Sequence, residues 1–392
     1  MAPARSEPAA SIGSRAPEPR TPLVARLSER IQRAGPITFA EFMETALYDP
    51  EFGFYSRPRA GEDSDFLTSP HVSPVFATLV ARQVAELWQT LERPAAFQVV
   101  EVGAGDGTLA QGILAALPPD VRAAVVYTAV ERSEGARARL RSAGLRALGA
   151  LEEVEPSPTG CILANELLDN LPFHRLRRTE TGLVELYVGA DAGHFGLVEG
   201  PLSDPALEAH GAGLPPGTDG IAALEAQRFL EWCAGRFDRG LAWLVDYGFG
   251  PNEHPADALV HGYRDHRATA DVLDAPGSRD ITAGVDFGRL VEGAAALGLR
   301  TWGPVRQSTA LIALGFRDLE ARARARQGAA IDQRRGIDAL RIYSARTRAN
   351  MLLARPGLGD FLVLCLGIGV DHPPPSVQRA VEQEAEADGQ TV

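Results

Sequence analysis

The chain of 392 residues contains no lysine, and all 39 of its cationic side chains are arginines. This absence excludes a Schiff-base amine, a pyridoxal-phosphate lysine and a Walker A phosphate loop, because each of them needs an ammonium group. Cysteine is also scarce. Cys161, Cys233 and Cys365 lie far apart in apolar surroundings, and their spacing matches neither a disulfide framework nor a CxxC metal site. We expect a reducing, cytoplasmic compartment and no metal centre.

Positive charge is in the minority, since 51 acidic residues oppose the 39 arginines and the net charge is -12. A surface of this sign repels phosphate backbones and anionic membranes, so we expect no nucleic-acid or membrane partner. The longest apolar run, residues 361–370, is too short for the roughly 18 to 20 residues that span a bilayer, and it predicts a buried strand. The hydrophobic content of 45% is typical of a globular protein.

Both ends of the sequence differ from its middle. Residues 1–21 are rich in Ala, Pro, Ser and Arg without a hydrophobic stretch, which predicts a disordered tail. Residues 371–392 are acidic and are likewise interpreted as a disordered tail. Residues 22–94 have the apolar spacing and capping signals of helices, so they predict an N-terminal helical cap.

Residues 95–370 alternate short apolar runs with helical segments. Near-continuous apolar strands of this kind indicate a doubly wound α/β fold, in which helices cover both faces of a parallel sheet. A Gly-, Pro- and Asp-rich interval at about 176–220 is long for a simple crossover and predicts an insertion, with a small hairpin around 183–199.

The most informative stretch is VVEVGAGDGTLAQGIL at 99–114, in which Gly103, Gly105 and Gly107 leave a strand and open a helix. Glycines allow a backbone to touch a ligand there. A dinucleotide fingerprint is incomplete, because residue 108 is Thr, and Asp106 would oppose a phosphate. A carboxylate tolerates the positive charges of S-adenosylmethionine (SAM) instead. The alternative is a simple turn in which Asp106 complements a helix dipole.

Further acidic and amide residues follow the same strand edge. Glu101 precedes the glycines, and Glu131 ends the next strand, where a ribose would be held. Asn165, Glu166 and Asp169 follow a later strand. Carboxylates there could clamp a guanidinium and accept its proton. The alternative for Asn165 and Asp169 is capping of a short helix.

These motifs resemble those of the MidA-type SAM-dependent methyltransferases, whose mitochondrial members methylate a protein arginine during assembly of respiratory complex I. The resemblance covers about 37–369. It rests on ITFAEFMETALYDPEFGFYS (37–56), SDFLTSPHVSPVFATLVARQ (64–83), the glycine loop, LANELLDNLPFHRL (163–176), LVDYG (244–248), GYRDHRATADVLDAPGSRDITAGVDF (262–287) and QSTALIALGF (307–316).

The resemblance implies a class I methyltransferase core under a helical cap, with SAM as the cofactor. The residues implied in the cofactor pocket are Asp65, Phe66, Thr68, Ser69, Pro70, Glu101, Gly103, Gly105, Gly107 and Glu131, to which the loop chemistry adds Asp106. The implied catalytic residues are Asn165, Glu166 and Asp169. A later block implies a pocket wall without individual roles, and its matching residues are Tyr263, His266, Pro276, Gly277, Asp280, Thr282, Asp286 and Phe287.

The chain departs from the family pattern mainly on the substrate side. Ser64 replaces Gly, His71 replaces Glu, Asp106 stands where many members have Arg, Gly284 where His is frequent, and Leu167-Leu168 replaces a Phe pair. His71 is a candidate general base, because its ordinary pKa suits proton transfer, or a capping residue.

We therefore expect a SAM-dependent methyltransferase that methylates a nitrogen, with an arginine of a partner protein as the leading acceptor. The alternatives are a non-catalytic SAM-binding assembly factor and an enzyme acting on a small molecule. The arginine-rich segment 317–348 is either a solvated helix face or a dock for an acidic partner. A homo-oligomer is compatible with the sequence.

Overall fold

The computed structural model describes residues 21–56, 68–191, 194–251, 253, 260–264, 267–269 and 271–389. Residues 1–20 of the predicted N-terminal tail lie outside these ranges, and so do Ser64, Asp65, Phe66 and His266. No helix of the described part is both long and apolar enough to cross a membrane.

The α-helices form in many of the segments whose apolar spacing predicts a helix, and several of them start at prolines or capping residues. They are α1 Pro22–Ala34, α2 Phe39–Tyr48, α3 Ser69–Val72, α4 Pro74–Thr90, α5 Thr108–Ala116, α6 Pro119–Ala124, α7 Glu134–Ser142, α8 Leu207–Gly211, α9 Leu224–Ala234, α10 Phe287–Ala296, α11 Gln307–Ala313, α12 Phe316–Asp332, α13 Gly336–Met351 and α14 Pro375–Gly389. Thr38 and Glu41, one of the capping signals within 22–94, form a capping box at the start of α2.

The strands include the predicted apolar run at 361–370 and four further apolar runs of the sequence, at 97–103, 124–131, 161–166 and 241–248. They are β1 Ile37–Thr38, β2 Phe97–Val102, β3 Val125–Val130, β4 Arg146–Leu148, β5 Ser157–Asn165, β6 His174–Arg178, β7 Leu183–Asp191, β8 His194–Gly200, β9 Asp219–Ala222, β10 Phe237–Asp246, β11 Gly248–Phe249, β12 His261–Arg264, β13 Arg267–Thr269, β14 Asp280–Thr282, β15 Val285–Asp286, β16 Arg300–Arg306 and β17 Leu362–Ile368.

The central sheet has seven strands in the order β16-β17-β10-β5-β2-β3-β4. The five strands from β10 to β4 are parallel, as predicted. β17, the strand predicted from the run 361–370, is antiparallel to both of its neighbours, so the sheet is mixed at this edge. The sequence could not show this, because the apolar pattern of a buried strand is the same in either direction.

Helices cover both faces of this sheet. On one face, α4, α5, α11 and α14 pack in a core that includes Val99 and Trp243. On the other face, α9 and α10 pack in a core that includes Val100 and Leu244. Successive strand residues point to opposite faces, which is why both faces are apolar. The doubly wound α/β fold is confirmed.

The segment predicted as one helical cap is divided between two cores. α4 packs on the central sheet, where Phe76 and Leu79 are fully buried. α1 and α2 pack instead in a separate core that includes Val188 of β7. β1 pairs antiparallel with β7 through Ile37 and Val188. We call α1, β1 and α2, together with the antiparallel sheet of β6 to β9, the cap unit.

The predicted insertion supplies the sheet of this cap unit. β6, β7 and β9 join β1 in one antiparallel sheet, and β8 pairs with β7. The pairing of Leu186 with Glu199 and of Asp191 with His194 confirms the hairpin expected around 183–199. The insertion therefore completes the core of α1 and α2.

The prediction of a disordered tail at 371–392 is wrong over α14. Val377 and Ala380 of this helix are buried against the central sheet. Ser376 donates its hydroxyl to Gln83 Oε1 and its amide to Glu86 Oε2, both at 2.9 Å. Acidic composition suggested disorder, but the apolar face of α14 is wide enough to cover α4 and α11.

We expect Val377→Asp to lower the free energy of unfolding by at least about 2 kcal/mol, because a carboxylate would be buried without a partner. Chemical denaturation measures this difference. Ala385→Asp is the matched control, since Ala385 is exposed on the same helix. Equal stability of the two variants would contradict the packing of α14.

Candidate active site

The glycine loop between β2 and α5 has the conformation that its sequence requires. Gly103, Gly105 and Gly107 have φ values of 74°, 56° and 84°, in the left-handed region that other residues rarely adopt. The amide of Gly105 donates to Glu131 Oε2 at 2.9 Å, while Ser133 donates its amide to Glu131 Oε1 at 2.8 Å. Glu131 thus joins the ends of β2 and β3, and burial raises the pKa of its carboxyl.

The three glycines have different surroundings. A Cβ atom added at Gly107 would lie 2.7 Å from Leu140 Cδ2, and one added at Gly103 would lie 3.1 Å from Leu167 Cδ1. A Cβ atom at Gly105 would meet nothing within 4 Å. Gly107 therefore serves packing inside the protein, whereas Gly105 presents its bare backbone to open space.

Glu101 lies beneath this loop and not on its exposed surface. Only 4% of the residue is exposed, and the hydroxyl of Tyr127 donates to its Oε2 at 2.7 Å. Burial raises the pKa of Glu101 to about 8, so the carboxyl is largely protonated at neutral pH. Direct contact between Glu101 and a cofactor stays a prediction.

His71 and Asp106, two of the departures from the family pattern, bind each other. His71 Nε2 lies 3.0 Å from Asp106 Oδ2, and His71 Nδ1 lies 2.7 Å from Thr68 Oγ1. The Asp106 hydrogen bond raises the pKa of His71, and the His71 hydrogen bond lowers the pKa of Asp106. Because both nitrogens of His71 have partners, the structure does not favour a free general base. We call this contact the loop bridge.

α3 also contacts Glu166, one of the three predicted catalytic residues. The amide of Ser69 donates to Glu166 Oε1 at 3.2 Å, and the Ser69 hydroxyl donates to Gln307 Oε1 at 3.2 Å. Ser69 is fully buried, while Thr68 and the adjacent Pro70 are half-buried. The structure therefore brings Thr68, Ser69 and Pro70 of the predicted cofactor pocket beside both the glycine loop and Glu166.

Glu166 is held in a strained conformation at the end of β5. Its φ of 53° lies in the left-handed region, and residues other than glycine found there cluster at functional sites. Asn165 donates its Nδ2 to Glu166 Oε1 at 3.0 Å. Burial, with a contribution from Asp169, raises the pKa of Glu166 to about 7. The carboxyl can therefore exchange a proton near neutral pH.

Asp169 follows in a short 3-10 turn, Leu168–Asn170. Thr282 donates its hydroxyl to Asp169 Oδ2 at 2.7 Å, and Tyr247 Oη lies 2.8 Å from Thr282 Oγ1. Burial raises the pKa of Asp169 to about 6. Thr282 belonged to the predicted pocket wall, and the structure gives it a specific partner.

Asp246 is a site residue that the sequence analysis missed. It ends β10 with no exposed surface, and it accepts amides from Leu168 at 2.8 Å, Asp169 at 3.3 Å and Tyr247 at 2.9 Å. Burial and the charges of Asp169 and Glu166 raise the pKa of Asp246 well above its ordinary value. Its position at the carboxyl end of an apolar strand, in LVDYG, was the available signal.

α2 and the residues that follow it are attached to the same turn. Tyr55 donates to Asn170 Oδ1 at 2.8 Å and to Asp280 Oδ2 at 2.9 Å. Asn170 donates its Nδ2 to Asp280 Oδ1 at 3.1 Å. Tyr48 donates to the carbonyl of Asn170 at 3.1 Å. These bonds fix the turn that carries Asp169.

Other residues of the predicted pocket wall have structural roles. Asp286 accepts the amide of Arg289 and caps α10, and Phe287 is fully buried. A Cβ at Gly277 would lie 2.3 Å from the carbonyl oxygen of Phe52. Gly284 packs near Tyr247, where a Cβ would make ordinary contact at 3.8 Å.

We call Asn165, Glu166, Asp169 and Asp246 the acidic cluster. Two of its buried acceptors, Asn165 Oδ1 and Asp169 Oδ1, lack a hydrogen-bond partner within the described residues. An unsatisfied buried acceptor costs free energy unless a ligand supplies a donor. With Glu166 between them in sequence, they suit a cation that carries several N–H groups.

The fold and the site together define the class of protein. A Rossmann-like sheet, an open glycine loop after its first strand and acids at the carboxyl ends of neighbouring strands form the place where such sheets bind an adenosyl cofactor and its co-substrate. The open space above Gly105 and the neighbouring Glu131 carboxylate fit the adenosyl and amino-acid parts of SAM.

The chain matches the model of the S-adenosyl-L-methionine-dependent methyltransferases over residues 79–305, more than half of its length. It therefore belongs to this family, its cofactor is SAM, and the MidA-type resemblance is confirmed. The human mitochondrial protein arginine methyltransferase NDUFAF7 is 30% identical over 346 residues, which cover 77% of this chain and 75% of the relative. Its Bos taurus counterpart is 30% identical over 341 residues, 76% of this chain and 74% of that protein.

A solved structure agrees with this membership. The crystal structure of a Burkholderia thailandensis protein bound to S-adenosyl-homocysteine superimposes with a TM-score of 0.77 at 30% identity. The match covers 90% of this chain and 94% of that one. The class I methyltransferase fold is thus confirmed over nearly the whole chain.

We expect Gly105→Ala to weaken binding of S-adenosyl-homocysteine at least about tenfold, a change near 1.4 kcal/mol, because its Cβ would enter the space above the loop. Calorimetric titration measures this affinity. Gly144→Ala is the matched control, since Gly144 has a φ of 80° and open space around its Cβ but lies outside the loop. Both variants carry a similar backbone strain of about 1 to 2 kcal/mol, and equal affinities would contradict the assignment.

The loop bridge predicts a pH-dependent stability. The bridge contributes fully to the free energy of unfolding where Asp106 is ionised and His71 is protonated. This contribution is lost as pH rises through the raised pKa of His71, and it is also lost as pH falls through the lowered pKa of Asp106. We expect the difference in Tm between the wild type and His71→Ala to shrink as pH rises from about 6 to about 9. A difference that stays constant over this range would show that the bridge carries no charge.

Proposed function

We propose that this enzyme transfers the methyl group of SAM to a guanidinium nitrogen of an arginine in a partner protein. The observation that carries the proposal is the pair of unpartnered buried acceptors, Asn165 Oδ1 and Asp169 Oδ1, on either side of Glu166. A guanidinium has five N–H donors in a planar fork, which matches several acceptors at once. The relatives named protein arginine methyltransferases support the same acceptor.

The chain's own residues position the acceptor and receive its proton. SAM supplies an electrophilic methyl group when it is bound. Asn165 and Asp169 would accept N–H bonds from the guanidinium, and their fixed positions would aim one nitrogen. Methylation leaves a surplus proton on that nitrogen, because the product is again a cation. Glu166, with a pKa raised to about 7, would take this proton through its Oε2.

Thr282 and Asp246 keep Asp169 in place during this step. Thr282 donates to Oδ2 of Asp169, which leaves Oδ1 for the acceptor. Asp246 holds the backbone of the turn through the amides of Leu168 and Asp169. Both Oδ1 atoms are buried in this structure, so neighbouring side chains must move when the cationic acceptor binds.

Incubation of the purified protein with methyl-labelled SAM and a lysate of its host tests the proposal. We expect label in protein, recovered as methylarginine after acid hydrolysis. Label in the low-molecular-mass fraction alone would favour a small-molecule acceptor. SAM binding without any label would favour a non-catalytic assembly factor.

The three cysteines are buried and free, which supports the cytoplasmic location that we infer.

We expect Glu166→Gln to abolish methyl transfer while S-adenosyl-homocysteine affinity stays within about tenfold of the wild type, because the amide keeps the shape of the side chain but cannot take a proton. Labelling rates and calorimetric titration measure the two quantities. Glu292→Gln, an exposed change on α10, is the control. Full activity of Glu166→Gln would remove Glu166 from the proton transfer.

A further inference from the structure

α12 and α13 form an antiparallel helical pair, residues 316–351, that we call the arginine hairpin. Its two ends are anchored in the main core, where Phe316 and Ala349 are buried. Most residues between them are exposed. Of the eight large hydrophobic side chains exposed among the described residues, five belong to the hairpin: Ile331 at 58%, Ile337 at 71%, Leu340 at 69%, Tyr343 at 56% and Met351 at 40%.

The hairpin is cationic on an acidic protein. Residues 317–348 hold nine arginines and four acidic residues, whereas the whole chain has a net charge of -12. Glu320 is already paired with Arg324 at 3.1 Å and Asp338 with Arg335 at 2.7 Å. In the part of the chain that the structure describes, four exposed hairpin arginines pair with no acidic side chain: Arg322, Arg326, Arg334 and Arg348. Positive charge therefore remains available to a partner.

Apolar and cationic side chains share one face of α13. Arg348 follows Ile337 by eleven residues, which corresponds to a rotation of only about 20° around an α-helix. Met351 follows Leu340 by the same number. A helix that lies on a bilayer segregates its cations from the apolar face, and aliphatic side chains do not stack on bases. This mixture instead has the composition of a protein interface, where Arg, Tyr and Met are enriched.

The base of the hairpin lies beside the active site. α13 packs against α3, the helix that carries Ser69 and His71. Ser69 binds Glu166 and His71 binds Asp106. A protein seated on the hairpin is thus next to the helix that joins the catalytic acid to the cofactor loop.

We propose that the arginine hairpin docks an acidic face, studded with apolar side chains, on the protein whose arginine is methylated. The proposal rests on the proposed function for the identity of that partner. Charge complementarity favours an acidic protein, since two copies of the hairpin facing each other would bring like charges together. Leu340 and Tyr343 enter apolar recesses of the partner, and the unpaired arginines bind its carboxylates.

A binding experiment tests the dock independently of catalysis. The probes are a synthetic amphipathic helix with glutamates beside a leucine stripe, and its counterpart with lysines in place of the glutamates. We expect the full-length protein to bind the acidic helix, with an affinity that falls as salt is raised. The triple variant Ile337→Ser, Leu340→Ser, Tyr343→Ser should bind it at least about tenfold more weakly.

The double variant Leu197→Ser, Val198→Ser is the matched control, because these exposed side chains lie on β8 and not on the hairpin. It should bind like the wild type. The proposal is overturned if the acidic helix does not bind, if the lysine helix binds equally, or if only phosphatidylglycerol vesicles are bound. It is also overturned if sedimentation shows a dimer that the triple variant dissociates. If the acidic helix binds as expected but no methylarginine forms in the labelling experiment, the proposed function is rejected and the docking proposal is not.

Discussion

The three backbone hydrogen bonds accepted by Asp246 are the constraint on which the site depends. This buried carboxyl, at the end of β10, holds the amides of Leu168, Asp169 and Tyr247. The chain after β5 is thereby turned so that Asn165, Glu166 and Asp169 meet in one place. Removing an acceptor that satisfies three backbone donors leaves all of them without this partner, and the buried Leu168 amide then carries its full desolvation cost. The positions of the acids follow from this anchor.

α3 links the two halves of the site. It touches the glycine loop through His71 and the acidic cluster through Ser69, although it is only four residues long. A movement of this helix therefore alters cofactor and acceptor contacts together. His71 and Asp106 supply the contact between α3 and the glycine loop in this chain.

The sequence predicted the parts of the fold that depend on local pattern. The runs of apolar residues gave the strands β2, β3, β5, β10 and β17, and capping residues gave the starts of α2 and α4. Strand direction at β17 depends on the chain connection, which no residue pattern records. The folding of α14 depends on α4 and α11, so its acidic composition was misleading.

The candidate site was predictable to a similar degree. Glycines and acids at strand ends pointed to the cofactor loop, Glu166 and Asp169 before any geometry was known. The pairing of His71 with Asp106 joins residues 35 positions apart, and that of Thr282 with Asp169 spans 113. Such contacts exist only after folding. Asp246 was overlooked because a single acid at a strand end has many other uses.

The cap unit also has a consequence for synthesis on the ribosome. Its core joins Leu23 and Ile37 to Val188 and Ile281, so the first helix stays without its apolar partners while most of the polypeptide is being made. At about 5 to 20 residues per second, the wait between Leu23 and Ala283 is roughly 13 to 50 seconds. During that interval the nascent α1 and α2 expose leucines and phenylalanines that the finished protein buries.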